Sequence, residues 1–245
     1  MNTKMNAAAK PETHTDSLLT VHSLDVAYSG VNIIHDLSLT VRRGSVSALM
    51  GRNGVGKTTL VKTLMGLHRP GRGEIRYKGE IITGLPAYAR SRRGMGYVPQ
   101  GRGIFPRLTV EENLKTGLRK AHQSIPAAVY EYFPVLGDMQ HRLGGDLSGG
   151  QQQQLAIGRA LVTEPDLLIL DEPTEGIQPS IIRRIGETLE LLTETAGVTI
   201  IIVEQYLDFI REYADDFTIL NRGTVAAAGE TAELSSELIA EYLHL

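Results

Sequence analysis

The chain has 245 residues, 42% of them hydrophobic and 22% charged, and its 25 basic and 28 acidic residues give a formal net charge of −3. A charge this close to zero excludes a global electrostatic attraction to nucleic acid or anionic lipid, and a sequence without cysteine excludes disulfides and thiolate metal sites. Because the longest aliphatic runs, such as residues 198–203, are far shorter than the roughly 20 residues that cross a bilayer, we expect a soluble chain with room for one large α/β domain.

The first part of the chain has the pattern of a polar tail, a group of strands and one glycine-rich loop. Residues 1–17 are polar and lack hydrophobic periodicity, which predicts a disordered tail. In residues 18–41, segments rich in β-forming side chains alternate with turn signals, which predicts an antiparallel lead-in. Residues 45–50 then form a short apolar strand that runs into the glycine-rich loop, and the leucine spacing of residues 57–67 predicts a helix directly after it.

The rest of the chain is predicted to alternate between helices and strands. A helical region follows residue 100, and Thr109-Val110-Glu111-Glu112 fits a capping box there. The later predicted elements are a strand at 167–170, a helix at 179–195, a strand at 198–203, a helix at 207–213, strands at 217–220 and 224–227, and a helix that runs to the C-terminus. The predicted domain covers residues 18–240, with a core of 18–99 and 163–240, a helical insert at about 100–162 and a short end at 241–245.

The glycine-rich loop is Gly51-Arg52-Asn53-Gly54-Val55-Gly56-Lys57-Thr58, and Thr59 follows it. Such a loop between a strand and a helix points backbone N–H groups at phosphate oxygens, and glycine is needed where φ is positive or where a Cβ would block the phosphate. Lys57 is predicted to bind the β- and γ-phosphates, and the Thr58 hydroxyl to ligate Mg²⁺. A chance glycine-rich turn is the alternative, but the full eight-residue match favours a nucleoside triphosphate site.

A second signal lies at the end of a later strand. The apolar residues 167–170 have the pattern of a strand buried on both faces, and Asp171 and Glu172 follow them directly. Asp171 is predicted to hold Mg²⁺, and Glu172 to orient or polarise the attacking water. Surface Asp-Glu pairs are common, so the pair alone is a weak signal, but after a complete phosphate loop it indicates nucleotide hydrolysis.

A further glycine motif, Leu147-Ser148-Gly149-Gly150-Gln151, precedes that strand. Together with the phosphate loop and Asp171-Glu172-Pro173, it resembles the ATPase subunits of ATP-binding cassette (ABC) transporters. The resemblance implies an α/β fold with a P-loop NTPase (RecA-like) core, an antiparallel β lead-in and an inserted helical subdomain. It also implies that two ATPase subunits pack head to tail, with ATP and Mg²⁺ as cofactors. Each ATP then lies between the phosphate loop of one subunit and Ser148, Gly149, Gly150 and Gln151 of the other.

The resemblance implies roles for three more side chains. Tyr28 stands where the family stacks an aromatic residue on adenine, with a strand-packing tyrosine as the alternative. Gln100 matches the glutamine that contacts Mg²⁺ and the γ-phosphate, with an ordinary loop glutamine as the alternative. Gln205 stands where most relatives have a histidine, and we expect it to act with Lys57 and Glu172 in catalysis. Its amide can donate a hydrogen bond to a γ-phosphate oxygen but does not titrate.

Two groups of segments indicate which ABC ATPase subfamily the chain resembles. Val203-Glu204-Gln205 and residues 101–109 resemble the ATPases of branched-chain amino acid uptake systems, and residues 144–154 and 176–180 are similar to their urea-uptake branch. The resemblance implies an importer of urea or a short amide, with branched-chain or other amino acids as the alternative. Its implied partners are a second ATPase subunit (a different chain, or a copy of this one), two membrane permeases that hold this chain at the cytoplasmic face of the inner membrane and, indirectly, a periplasmic binding protein.

The sequence says less about surface contacts and about other classes of function. By resemblance, Phe105 and Leu108 belong to a groove that receives a permease helix, or else they close the core of the insert. Arg90, Arg92 and Arg93 are expected to form a solvated basic helix face, with a binding site as the alternative. A cassette ATPase acting on nucleic acid or the ribosome is the competing class, but the sequence has no second phosphate loop and no basic surplus. The intact phosphate loop and acidic pair argue against a binding module with an inactive site.

Overall fold

The computed structural model describes residues 17–28, 30–120 and 122–243. The predicted tail lies outside these residues except for Ser17, which begins the first strand rather than ending a tail. The strands, in chain order, are β1 (Ser17–Tyr28), β2 (Val31–Arg42), β3 (Val46–Met50), β4 (Arg72–Tyr77), β5 (Glu80–Ile81), β6 (Met95–Val98), β7 (Leu167–Asp171), β8 (Thr199–Val203), β9 (Asp216–Asn221) and β10 (Thr224–Glu230). The α-helices are α1 (Lys57–Leu64), α2 (Ala87–Arg92), α3 (Val110–Lys115), α4 (Ala127–Tyr132), α5 (Pro134–Asp138), α6 (Gly149–Leu161), α7 (Pro179–Ala196), α8 (Leu207–Tyr213) and α9 (Ser236–Tyr242).

The strands form two sheets. One is antiparallel with the order β2-β1-β4-β5, and it contains the predicted lead-in. The other has the order β10-β9-β3-β8-β7-β6, in which β10 pairs antiparallel with β9 and the remaining neighbours are parallel. The carboxyl ends of β3, β6, β7 and β8 therefore meet at one edge, where a parallel sheet places its ligand site.

The central strands separate two hydrophobic cores. Alternate residues of a strand point to opposite faces, so Leu168 of β7 packs in a core with the helices, whereas Ile169 packs with the antiparallel sheet. The same alternation holds in β8 for Ile200 and Ile201. All five residues of β7 are buried, as the continuous apolar run predicts for a strand covered on both faces.

The helical insert lies between β6 and β7 and contains α3 to α6. Thr109 caps α3, because its hydroxyl accepts from the backbone N–H of Glu112 while the Glu112 carboxylate accepts from the Thr109 N–H, which confirms the capping box. The predicted helix at 57–67 is shorter in the structure, since α1 ends at Leu64. The last helix, α9, ends at Tyr242, and residues 244 and 245 lie outside the described part of the chain.

The expectation of a solvated basic face is wrong for Arg90, although Arg92 and Arg93 are exposed. The Arg90 side chain is fully buried, and burial lowers the pKa of its guanidinium to about 10. The guanidinium donates hydrogen bonds to four backbone carbonyls, those of Thr63, Leu64, Thr83 and Leu85. Two of these carbonyls are at the end of α1, so Arg90 neutralises the negative end of the helix that begins at the phosphate loop. In the part of the chain that the structure describes, no helix is both long enough and apolar enough to cross a membrane.

Candidate active site

The phosphate loop connects β3 to α1, and its backbone requires glycine at two positions. The φ angle of Gly51 is 140° and that of Gly56 is 111°, both in the region that favours glycine. A Cβ on Gly51 would lie 2.5 Å from the carbonyl oxygen of Leu220, and one on Gly56 would lie 2.7 Å from Cδ1 of Ile34. The loop therefore fits against β9 and β2 only without side chains at these positions.

Lys57, the first residue of α1, is buried inside the curve of the loop. Its Nζ donates hydrogen bonds to the carbonyl oxygens of Gly51 at 2.6 Å and Arg52 at 3.0 Å. Burial lowers the pKa of the Lys57 amino group, and the negative charges of Glu172 and Asp171 oppose this effect. The structure thus brings the predicted phosphate-binding cation close to both carboxylates of the predicted acidic pair.

Asp171 ends β7 and is 2% exposed. Its Oδ2 accepts a 3.4 Å hydrogen bond from the hydroxyl of Tyr97, whereas its buried Oδ1 has no hydrogen-bond partner among the described residues. Burial raises the pKa of Asp171, and hydrogen bonds from Thr58 and Tyr97 oppose that rise. A buried, unpartnered carboxylate oxygen beside the Thr58 hydroxyl is the kind of oxygen donor set that Mg²⁺ takes, so these residues fit the predicted metal.

Glu172 lies between two glutamine side chains. The Gln100 amide donates a 2.6 Å hydrogen bond to Oε2 of Glu172, and the Gln205 amide donates a 3.3 Å hydrogen bond to Oε1. Gln100 also donates to Glu175 at 3.1 Å. Burial raises the pKa of Glu172, and the neighbouring charge of Glu175 adds to the rise. The Glu172 backbone has a φ of 52°, which costs of order 1 kcal/mol in a non-glycine residue.

The motif at residues 147–151 lies at the start of α6, in the helical insert and not in the six-stranded sheet. Ser148 caps α6, since its hydroxyl accepts from the N–H of Gln151 while its own N–H donates to the Gln151 side chain. A Cβ on Gly150 would lie 2.9 Å from Cγ2 of Ile181, so this glycine lets α6 approach α7. Gly149 precedes it and faces the guanidinium of Arg102. The motif therefore presents a capped helix N-terminus, which is a ready anion site.

Tyr28 ends β1 and is 55% exposed, so its ring is accessible at the surface. Its ring contacts the imidazole of His68 edge to face, with 5.3 Å between the ring centroids. Sequence reasoning missed His68, because no motif marks a histidine in the loop between α1 and β4 that packs against the end of β1.

Sequence reasoning also missed the role of Glu204. This residue follows β8 and is 4% exposed, and its carboxylate accepts hydrogen bonds from both the loop after β7 and the loop after β8. A signal was present, because an acidic residue directly after an aliphatic strand repeats the pattern of Asp171 after β7.

The segment after Gln100 borders a groove of about 350 Å³. Phe105 lines this groove, is 48% exposed, and packs against the guanidinium of Arg159 at 5.3 Å from its ring centroid. The buried side chain of Asn113 holds the segment, accepting from the backbone N–H of Phe105 and donating to the carbonyl oxygens of Phe105 and Leu108. Phe105 therefore faces the groove rather than closing the core of the insert.

Comparison with known proteins agrees with this geometry. The family described as "ABC transporter" matches residues 34–175. The chain is 41% identical over 212 residues to the high-affinity branched-chain amino acid transport ATP-binding protein BraG of Pseudomonas aeruginosa, an alignment covering 85% of this chain and 91% of that protein. It is 35% identical over 222 residues to the probable branched-chain amino acid transport ATP-binding protein LivF of Archaeoglobus fulgidus, covering 89% and 94%.

A solved structure gives the same result for the fold. The structure resembles the ADP conformation of an ATP-binding cassette of an ABC transporter with a TM-score of 0.81 and 25% identity, over 93% of this chain and 98% of that chain. The predicted fold, with its P-loop core and antiparallel lead-in, is confirmed.

Proposed function

The chain belongs to the ABC transporter family of ATPases, and from this premise we propose that it hydrolyses ATP to drive an importer of branched-chain or related amino acids. The names of the relatives BraG and LivF support this solute class. They favour branched-chain or other amino acids over urea as the solute, because neither protein is named for urea. Because residues 144–154 and 176–180 resemble the urea branch, urea is the competing solute.

One observation carries the proposed chemistry: Glu172 is hydrogen-bonded by the amides of both Gln100 and Gln205, beside Lys57. In the reaction, Glu172 accepts a hydrogen bond from the attacking water and orients it towards the γ-phosphorus. The bond from the water oxygen forms as the bond to the β,γ-bridging oxygen breaks. Lys57 and the N-terminus of α1 stabilise the charge that develops on the phosphate oxygens.

The metal role is proposed for three residues. Thr58, Asp171 and Gln100 would hold Mg²⁺, which when bound neutralises charge on the β- and γ-phosphates. Gln205 would donate an amide hydrogen to a γ-phosphate oxygen after one of its two present hydrogen bonds is released. Tyr28 offers its exposed ring to the adenine.

The second half of each site comes from a partner subunit in this proposal. Ser148, Gly149 and Gly150 form a capped helix N-terminus whose partial positive charge suits the γ-phosphate of an ATP bound to the other subunit. ATP then closes the dimer because each triphosphate bridges two chains, and hydrolysis removes the group that linked them. We propose a heterodimer with a second ATPase subunit, with a homodimer as the other arrangement.

The groove at Phe105 is the proposed contact with the membrane. Its exposed aromatic ring and adjacent Arg159 offer apolar surface and a cation to a cytoplasmic helix of a permease. The chain would lie at the cytoplasmic face of the inner membrane, held by two permeases that receive the solute from a periplasmic binding protein. Nucleic acid is not among the proposed partners.

Light scattering after size-exclusion chromatography tests the shared site. Wild type and Glu172→Gln are compared with and without Mg-ATP, alone and mixed with the ATPase subunit encoded beside it. We expect a dimer that requires ATP and that Glu172→Gln traps, either alone (a homodimer) or only in the mixture (a heterodimer). Tight ATP binding without a dimer in any arm would refute the shared site.

Uptake measurements test the solute. The source strain lacking this chain is compared with strains complemented by wild type or by Lys57→Ala, using labelled leucine and labelled urea. Loss of leucine uptake that only wild type restores supports the proposal. Loss of urea uptake alone would assign the chain to the urea branch.

A further inference from the structure

Glu204 is a buried residue in the loop that leaves β8, and its two carboxylate oxygens accept four hydrogen bonds. Oε1 accepts from the backbone N–H of Thr174 at 3.1 Å and from its hydroxyl at 2.5 Å. Oε2 accepts from the backbone N–H groups of Gln205 at 2.8 Å and Tyr206 at 3.1 Å. The carboxylate is therefore saturated, as a buried anion must be to be stable.

These hydrogen bonds connect the two loops that carry Glu172 and Gln205. Strands β7 and β8 are parallel neighbours, with Asp171 opposite Val203, so their loops leave the sheet side by side. One oxygen of Glu204 holds the first loop at Thr174, two residues beyond Glu172. The other oxygen holds the second loop at the backbone of Gln205 itself. One carboxylate therefore joins the two loops on either side of the 3.3 Å contact between the Gln205 amide and Glu172 Oε1.

The donor pattern requires a carboxylate and not an amide. A glutamine at this position has one acceptor oxygen and an NH₂ group, and the NH₂ group would face backbone N–H donors on either side. The hydroxyl of Thr174 can reverse its role and accept, but the three backbone N–H groups cannot. Replacement of Glu204 by glutamine therefore leaves at least one backbone N–H group without its acceptor and weakens the connection between the loops, with almost no change in side-chain volume.

We infer that Glu204 is a positioning residue for ATP hydrolysis, which fixes Gln205 relative to Glu172. It does not contact the nucleotide, and it acts by joining the loop after β7 to the loop after β8. The inference rests on the proposed function, since it concerns the same hydrolytic site. It predicts that loss of the carboxylate slows hydrolysis while ATP binding at the phosphate loop is retained, because Lys57 and Thr58 are on a different loop.

The test compares Glu204→Gln with Glu194→Gln, an exposed matched control on α7, in the transporter assembled with its permeases and partner ATPase. For Glu204→Gln we expect kcat to fall by about 10-fold or more, with KM and the binding of a fluorescent ATP analogue within about 2-fold of wild type. Glu194→Gln should match wild type. The rate of the Glu172→Gln assembly gives the background from the other site.

A double-mutant cycle separates positioning from general loss of structure. In wild type, Gln205→Ala lowers kcat, and in the Glu204→Gln background the same change should have a much smaller effect because Gln205 is already displaced. Additive effects, or losses of kcat and ATP binding in equal measure, would overturn the inference in favour of a merely structural role. Wild-type kcat in Glu204→Gln would also overturn it.

Thr174 provides the second route if Glu204→Gln does not fold. Thr174→Val removes only the hydroxyl donor and should lower kcat by a few-fold, and Thr174→Ser, which keeps the donor, should recover most of that loss. Equal rates for the two variants would count against the inference. Failure of the proposed function is distinguishable, because the wild-type assembly would then not hydrolyse ATP at all.

Discussion

The side-chain amide of Gln205 donates a 2.9 Å hydrogen bond to Oδ1 of Asn53, a phosphate-loop residue 152 positions earlier in the chain. The same amide lies 3.3 Å from Oε1 of Glu172. One neutral group therefore contacts both the loop expected to hold the phosphates and the carboxylate expected to orient the water. Since an amide does not titrate, the Gln205 side chain stays a neutral donor across the physiological pH range.

Gln205→Ala is expected to lower kcat by roughly 100- to 1,000-fold, the range for loss of one donor to a reacting oxygen. The binding of ATP should change little, because Lys57 and the loop backbone remain. Steady-state ATPase kinetics and equilibrium binding of a fluorescent analogue measure the two effects. Normal hydrolysis by Gln205→Ala would refute the role of this residue.

Gln205→His is expected to introduce a pH dependence that wild type lacks. An imidazole titrates near pH 6.5, so the variant should show a change in kcat in that region. The measurement is kcat for both proteins over about two pH units either side of neutrality. If kcat of wild type also changes near pH 6.5, a group other than residue 205 controls the rate.

Tyr28→Ala is expected to weaken ATP binding by roughly 3- to 10-fold, the equivalent of a lost aromatic contact worth about 0.5–1.5 kcal/mol. Tyr28→Phe keeps the ring and should bind normally. Titration calorimetry with ATP measures both variants, and Tyr88→Ala, an exposed tyrosine on α2, is the control. Equal affinity in Tyr28→Ala and wild type would remove Tyr28 from the adenine site.

Asp171→Asn is expected to stabilise the nucleotide-free fold while abolishing hydrolysis. Burial raises the pKa of Asp171 in the folded chain, so its ionised form opposes folding at neutral pH, and this cost disappears as the pH falls through the folded pKa. The variant should therefore melt a few degrees above wild type at pH 7, and the difference should shrink towards about pH 4. Thermal unfolding across pH measures it, with the exposed Asp138→Asn as control. A variant less stable at pH 7 would mean that attraction to Lys57 outweighs burial.

Arg90→Met is expected to lower the free energy of unfolding by about 3 kcal/mol or more, because it leaves four buried carbonyls without their donor. Arg92→Met on the exposed face of the same helix should change it by no more than about 0.5 kcal/mol. Urea unfolding of the three proteins gives the comparison. Similar values for the two variants would show that the Arg90 hydrogen bonds contribute little.

The parts of the site that sequence could predict are those that local backbone geometry determines. The phosphate loop is one continuous turn, so its spacing is visible in eight letters. Asp171 and Glu172 follow a strand whose apolar run is equally visible, and parallel strands bring their ends to one edge.

Other features depend on backbone groups from distant segments and leave no pattern. The partners of Arg90 are carbonyls of residues 63–64 and of a loop at 83–85, so its spacing with Arg92 and Arg93 resembled a surface face. The donors to Glu204 are mostly backbone N–H groups. The solute was assigned less well than the family, because in the proposed assembly no residue of this chain touches it.

The position of β3 at the centre of the six-stranded sheet has a consequence for synthesis. Its two neighbours, β8 and β9, are the strands at 199–203 and 216–221, near the end of the chain. At roughly 5–20 residues per second, the ribosome takes on the order of ten seconds to make them after β3 has emerged. Until then the strand that leads into the phosphate loop has no neighbours in its sheet, so the nascent chain acquires its nucleotide site only after β8 and β9 have been made. A chain truncated before Thr199 therefore contains the whole phosphate loop but lacks the two strands that flank β3 in the sheet.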